Sequence, residues 1–454
     1  MAGIFKAYDV RGIVPDELDT PIAYKIGRAF RALLDPEDDH DGAPVVVSND
    51  MRASSGPLKA ALIEGLLDSG LDVVDIGLQA TPTNYFAIGH LKTAGGIQVT
   101  ASHNPARYNG FKMSRRDAKP VSGDHGIGHL EKLVLAGDFP PPPAQRGTHT
   151  EADVSAAYAE HVLAHLRRPE GAKRLKVVVD CANGMGAVDR PILERLGIEL
   201  IPLYFELDGT FPNHEANPLK LENLRDLSKL VLESGADLGI AFDGDADRAA
   251  FVDERGEPVG SDLSTALVAG ELLEREPGKV VVYDLRSSHA VAEHITAKGG
   301  IPVRERVGHS FIKATLRERG GAFGGELAGH YYFRDNFYAD CALLAVIEML
   351  NLLWKEGKPL SQLVAPLLAK YRKTPEINFV VEDKAGKIAE LAARYADAKI
   401  DYLDGITFEY PTWWANVRPS NTEPYLRLVL EASSDEELAA REQELVAILG
   451  EPAE

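Results

Sequence analysis

Short runs of β-branched residues recur along the chain, each closed by a polar turn and followed by an amphipathic stretch. Val45–Val47, Val177–Val179 and Val280–Val282 are three such runs, of the kind that buried parallel strands prefer. Helical periodicity follows over Pro57–Asp68, Ala187–Leu196 and Ala290–Lys298, then a second strand over Leu71–Ile76, Ile198–Tyr204 and Ile301–Val307. Another helix leads in each case to a third strand, ending in Gln98-Val99-Thr100, Gly239-Ile240-Ala241-Phe242 and Ala322-Phe323. A βαβαβ unit therefore occurs three times, and this alternation predicts parallel sheets with helix-covered faces.

Breaks in the rhythm suggest boundaries. Phe139-Pro140-Pro141-Pro142-Pro143 is a stiff polyproline linker candidate, and the turn at Glu254-Arg255-Gly256 separates the second unit from the third. After Tyr371 the pattern becomes helix Lys384–Ala396, strands Ile406–Tyr410 and Tyr425–Glu431, and helix Asp435–Leu449. That is an α+β tail about the size of a small domain. The expectation is an α/β protein of four domains: three with related mixed/parallel α/β cores over residues 1–146, 147–254 and 255–371, and a C-terminal α+β domain over 372–454.

Composition narrows the partners. Of 454 residues, 45% are hydrophobic and 26% charged, and the net charge is −20. Nucleic acid and anionic membranes need a basic face and are excluded as main partners; a small anion in a local basic pocket is not. Cys181 and Cys341 stand far apart and form neither a metal knuckle nor a disulfide scaffold. The start, Met1–Tyr8, lacks the apolar core of a signal peptide, and no apolar run nears the roughly 20 residues of a membrane helix. A soluble protein of a reducing compartment, the cytoplasm, is expected. No strong interface stripe stands out, so a monomer or weak homodimer is expected. Whether some of the excess carboxylates hold a cation is left open.

Ligands of open parallel sheets bind beyond the carboxyl ends of the strands, and polar motifs stand there. Asp243-Gly244-Asp245-Ala246-Asp247-Arg248 sets three carboxylates at alternate positions after an apolar strand. They repel one another unless a cation sits among them, and oxygen-only ligands point to Mg²⁺ or a similar hard ion. A solvated acidic turn is the plain alternative. A calcium loop is the sharper one, with Glu254 at the twelfth position; against it stand Arg248 where that loop needs glycine and flanks that predict strands. Thr100-Ala101-Ser102-His103-Asn104-Pro105, continuing to Lys112, presents Ser102 at a strand tip. A serine near a hard cation and a lysine suits phosphoryl transfer; an Asx-Pro turn with an incidental serine and histidine is the alternative. Gly324-Gly325-Glu326-Leu327-Ala328-Gly329-His330 permits close backbone approach, with Glu326 and His330 able to hydrogen-bond sugar hydroxyls, or it is a glycine-rich turn. Arg418-Pro419-Ser420-Asn421-Thr422-Glu423-Pro424, with Arg427 beyond, makes a phosphate cradle or a structural turn. Tyr8-Asp9-Val10-Arg11-Gly12 and Gly308-His309-Ser310 are weaker signals. Trp413 and Trp414 are expected to pack beneath the last motif.

In this order, over essentially the whole chain, these motifs resemble the α-D-phosphohexomutase superfamily, nearest its bacterial phosphomannomutase/phosphoglucomutase members. The resemblance implies four domains around a central cleft and reversible transfer of phosphate between C1 and C6 of a mannose or glucose phosphate. It implies that Ser102 carries the phosphoryl group and that a hexose 1,6-bisphosphate is the intermediate, with glucose 1,6-bisphosphate as primer. Asp243, Asp245 and Asp247 would hold Mg²⁺, completed by an oxygen of phosphorylated Ser102. Lys112 would act in general acid/base catalysis with Arg11 and His309, and Arg248 against the transferring phosphate. Tyr8, Arg286, Glu326 and His330 would position the sugar. Arg418, Ser420, Asn421, Thr422 and Arg427 would hold the non-reacting phosphate. Ala328 departs from the serine usual in mannose/glucose enzymes, while Asn421 favours that type over phosphoglucosamine mutase, the alternative within the superfamily. Two readings from other classes are a non-catalytic metal or phosphosugar binder and a phosphatase with Asp243 as nucleophile.

Overall fold

The β-branched runs become the middle strands of three sheets. In the computed structural model, which describes residues 2–34, 42–123, 126–420 and 425–453, Val45–Asn49 lies parallel between Val73–Leu78 and Gly95–Val99. Lys176–Asp180 lies likewise between Glu199–Leu203 and Leu238–Phe242, and Val280–Asp284 between Ile301–Glu305 and Phe323–Gly325. Val45, Val46, Val47, Val177, Val178 and Val179 are fully buried, as continuous apolar runs in helix-covered sheets should be.

Each third strand then turns back on itself. Gly95–Val99 pairs antiparallel with Tyr108–Arg115, Leu238–Phe242 with Ala249–Val252, and Phe323–Gly325 with Tyr331–Phe333. The sheets are therefore mixed, and the Ser102, Asp243–Asp247 and Glu326–His330 segments are equivalent hairpin loops of three related units. A β-bridge from Arg248 to His330 joins the second loop to the third, and the Thr81 N–H donates to the Asp245 carbonyl at 3.1 Å, joining the first unit to the second.

Two expectations need correction. The polyproline run is not a free spacer: Arg28 Nη2 donates to the Pro140 carbonyl at 2.6 Å, and beyond the run His149–Glu151 adds a parallel strand to the first sheet. The helix expected over Ala187–Leu196 is a 3₁₀ turn, Met185–Asp189, followed by the single α-turn Arg190–Leu193. Pro191 has no N–H to give and is tolerated only in a helix's first turn, so the α-helical geometry begins there.

Helix Ala342–Glu356 buries thirteen of its fifteen residues, as a helix apolar on every side must, and one apolar core spans it and both the second and third sheets. The fourth sheet is antiparallel, with its own core under helices Lys384–Arg394 and Asp435–Leu449. Its second-longest strand, Trp413–Pro419, carries buried Trp413 and Trp414 and Arg418.

Candidate active site

Ser102 is held from both sides of its peptide unit. Its N–H donates to Thr100 Oγ1 at 2.9 Å, and Thr100 Oγ1 donates to Asp50 Oδ2 at 2.7 Å. Its carbonyl accepts from Arg52 Nη2 at 2.9 Å, and the same guanidinium donates to the carbonyls of Asn104, Pro105 and Tyr108. The backbone at Ser102 is left-handed, φ 51°, a conformation that a non-glycine residue keeps only when its surroundings enforce it. Gly244 packs so closely on the Ser102 carbonyl that a Cβ there would collide with it. The hydroxyl of fully buried Ser102 donates to Asp243 Oδ2 at 2.8 Å. His103 Nδ1 lies 3.3 Å from the Ser102 hydroxyl oxygen, and burial, with Arg248 nearby, lowers that imidazole's affinity for a proton well below the ordinary range.

Asp243 Oδ1 accepts from the N–H groups of Asp247 and Arg248. Asp245 Oδ2 accepts from Thr81 Oγ1 and Lys112 Nζ, both at 2.6 Å, and Lys112 also pairs with Asp247. Asp245 Oδ1 and Asp247 Oδ1 are buried and have no hydrogen-bond partner among the described residues. One oxygen from each of the three aspartates falls within 4.8 Å of the others. Burial, reinforced by the charges of Asp245 and Asp247, drives the Asp243 carboxyl well above its ordinary range. Orphaned oxygens and mutual repulsion fit a hard divalent cation. A calcium loop is excluded, because the flanks are strands and Glu254 accepts instead from the Ser361 N–H at 3.2 Å. Burial opposes charge on Lys112, but Asp245 and Asp247 outweigh it and raise its affinity for its proton.

Arg248 Nε donates to His330 Nε2 at 3.0 Å, and His330 Nδ1 lies 3.0 Å from Asp340 Oδ2. Asp340 pairs at 2.5 Å with Lys313, a fully buried lysine. His309 begins helix His309–Arg319 and packs against Tyr8, ring centroids 5.1 Å apart. Gly308 permits this approach: its φ is 137°, and a Cβ would strike the Tyr8 ring. Burial, with Lys313 adding to it, keeps the His309 imidazole neutral. Glu326, expected to hydrogen-bond a sugar, is tied into the wall of the site. It is 3% exposed, and its carboxylate accepts from the Gly308 N–H at 3.1 Å and from the Tyr332 hydroxyl at 2.5 Å.

At the far end, Arg286 is braced by Asp284, Nη2 to Oδ2 2.7 Å. One carboxylate, Glu376, joins Arg286, Arg418 and Arg427: Oε2 accepts from Arg418 Nη2 at 2.9 Å and from Arg286 Nη1 at 3.5 Å, Oε1 from Arg427 Nη1 at 2.9 Å. The Ser420 N–H donates to the Tyr425 carbonyl. Asn421 and Thr422 lie outside the described residues.

A cleft of about 670 Å³ connects these groups. Tyr8, Arg11, Lys112, Asp247, Arg248, Arg286, His309, Ala328, His330 and Arg427 line it, and Ser102, Asp243, Asp245, Glu326 and Arg418 are buried. Arg11 reaches it from the first strand, donating to Asp9 and, at 2.7 Å, to Asn104 of the serine loop. Sequence patterns did not point to Arg52, Asp340 or Glu376. Only Arg52 left a trace, in the turn after the first β-branched strand. The cleft offers a hydroxyl beside a cation-binding cluster at one end and a guanidinium cluster at the other, an arrangement for moving a phosphoryl group on a small doubly anionic molecule.

Four successive family models match the chain: Phosphoglucomutase/phosphomannomutase, alpha/beta/alpha domains I, II and III, over residues 2–140, 156–256 and 261–371, and its C-terminal domain over 376–448. A phosphomannomutase of Escherichia coli is 40% identical over 455 residues, with 98% of each chain covered. A protein of Xanthomonas campestris described as phosphohexose mutases is 40% identical over 449 residues, again with 98% of each covered. The crystal structure of a phosphoglucomutase/phosphomannomutase family protein from Burkholderia thailandensis superposes with a TM-score of 0.90 at 36% identity, over 99% of this chain and 97% of that one.

Proposed function

The chain belongs to the phosphoglucomutase/phosphomannomutase family and is a hexose phosphate mutase, and from that premise we propose how its residues divide the reaction. Ser102 carries the phosphoryl group. The bond from its Oγ to phosphorus breaks as the C1 or C6 hydroxyl of a hexose monophosphate bonds to phosphorus, giving a 1,6-bisphosphate and free Ser102. The hydroxyl proton passes to a base in the cleft. Lys112, aided by Arg11 and His309, all three lining the cleft, takes that role. The bisphosphate turns over, Ser102 takes back the other phosphoryl group, and the proton returns to the sugar oxygen. Glucose 1,6-bisphosphate primes the unphosphorylated enzyme by the same exchange.

Asp243, Asp245 and Asp247, with an oxygen of phosphorylated Ser102, would hold Mg²⁺, which when bound neutralises charge on the phosphoryl group. Arg248 and Lys112 add positive charge beside it, Tyr8 and His330 flank the sugar, and Arg286, Arg418 and Arg427 hold the phosphate that stays. Because that clamp must accept either end of the substrate, flexible closure of the fourth domain is expected. The cytoplasm is the proposed setting and a monomer or weak homodimer the proposed state. No helix among the described residues is long and apolar enough to cross a membrane.

One observation supports this reading above the others: the 2.8 Å hydrogen bond from Ser102 to Asp243 brings the proposed carrier to the cation-binding cluster. A phosphatase using Asp243 would have no use for that serine. Phosphorus NMR of mannose 1-phosphate and glucose 1-phosphate with enzyme, Mg²⁺ and catalytic glucose 1,6-bisphosphate is expected to show 6-phosphates without inorganic phosphate. Net phosphate release would contradict the reading.

A further inference from the structure

Glu376 occupies the place where the clamp's guanidinium groups converge, and no role in the reaction has been given to it. We propose that its carboxylate is the resting occupant of the phosphate clamp and that the substrate's non-reacting phosphate binds by displacing it, so that Glu376 sets substrate affinity. This rests on the clamp assignment above.

Arg418 has a side chain only 3% exposed, whereas that of Glu376 is 19% exposed and lines the cleft. A phosphate arriving from the cleft therefore meets Glu376 before Arg418. Next, Glu376 satisfies only part of what the arginines offer. Arg418 Nε is buried and has no hydrogen-bond partner among the described residues, so the Glu376 carboxylate leaves that donor unmet. A phosphate monoester brings three oxygens and up to two charges against the carboxylate's two and one, and if both stayed, like charges would sit in contact. Last, displacement asks little of the backbone. Glu376 lies between Thr374, whose N–H is bonded to the Leu430 carbonyl, and strand Ile377–Val380, paired with Tyr425–Ala432, so the main chain is pinned while the side chain can rotate toward the cleft.

A fixed scaffold that merely orients the arginines would give the opposite sign on mutation, which makes the proposal testable. Inorganic phosphate is titrated calorimetrically into the full-length chain, and KM for glucose 1-phosphate is measured alongside. Glu376→Gln, which keeps shape and loses charge, is expected to lower both Kd and KM at least fivefold. Unchanged or weaker binding would overturn the proposal. If Glu376→Gln does not fold, by its circular dichroism and melting transition, Glu376→Asp is judged the same way, since its shorter arm withdraws from the three arginines. Arg418→Gln separates the two levels of the account. It is expected to weaken phosphate binding at least tenfold, and if it does not, the clamp assignment fails whatever Glu376→Gln shows.

Discussion

The Ser102 hydroxyl and the Asp243 carboxylate meet at 2.8 Å across the junction of the first and second sheets. Each sits in the hairpin loop after its sheet's third strand, so two copies of one supersecondary unit, facing each other, bring the proposed nucleophile and the proposed cation ligand together.

Asp243→Asn keeps that hydrogen bond's length and removes a charged oxygen from the cluster. Mg²⁺ affinity, measured by calorimetry, is expected to fall, and mutase turnover to drop on the order of 10²–10³-fold. Chelation with EDTA is expected to stop the wild-type enzyme and added Mg²⁺ to restore it. Full turnover in the presence of EDTA would refute a metal requirement.

Arg52 donates to four carbonyls of the serine loop from a buried position. Arg52→Met takes the donor from those carbonyls and the counter-charge from buried Asp50, and is expected to cost about 3–5 kcal/mol in urea unfolding. In the folded fraction kcat should fall about tenfold or more with little change in KM, because the clamp lies elsewhere.

How far the sequence alone carries depends on what kind of signal a residue leaves. The three hairpin loops were legible because each interrupts an apolar strand with polar residues, and the repetition made their placement at one sheet edge inferable. Arg52, Asp340 and Glu376 left no such mark. Each is a single polar residue whose meaning comes from partners far along the chain: Arg52 from residues 102–108, Asp340 from Lys313 and His330, Glu376 from Arg286, Arg418 and Arg427. Glu326 was legible as a polar residue in a glycine-flanked motif, but its partners Gly308 and Tyr332 come from tertiary packing and were not. Strand Trp413–Pro419 was missed because its apolar run passes directly into a motif that looked like a turn.

Lys313 and Asp340 form a fully buried pair. Asp340→Asn leaves an uncompensated ammonium and is expected to lose about 3–5 kcal/mol. Lys313→Met in the same chain should recover much of that loss, a coupling that a double-mutant cycle by urea unfolding measures directly.

Asp189 is a pH-dependent weak point. Burial pushes its carboxyl from 3.8 up to about 7. The native state therefore holds this proton more tightly than the unfolded chain does. The contribution of Asp189 to stability is fully present below about pH 4 and is lost as pH rises through about 7. Asp189→Asn is expected to raise stability by up to about 4 kcal/mol at pH 8 and by less at pH 5. Equal effects at both values would show that burial does not control this carboxyl.

The phosphoryl carrier is the centre of the account, and peptide mass spectrometry after incubation with glucose 1,6-bisphosphate and Mg²⁺ tests it most directly. Phosphate is predicted on Ser102, removable by adding hexose monophosphate, with Ser102→Ala both unphosphorylated and without mutase turnover. Phosphate on another residue, or normal turnover by Ser102→Ala, would contradict it.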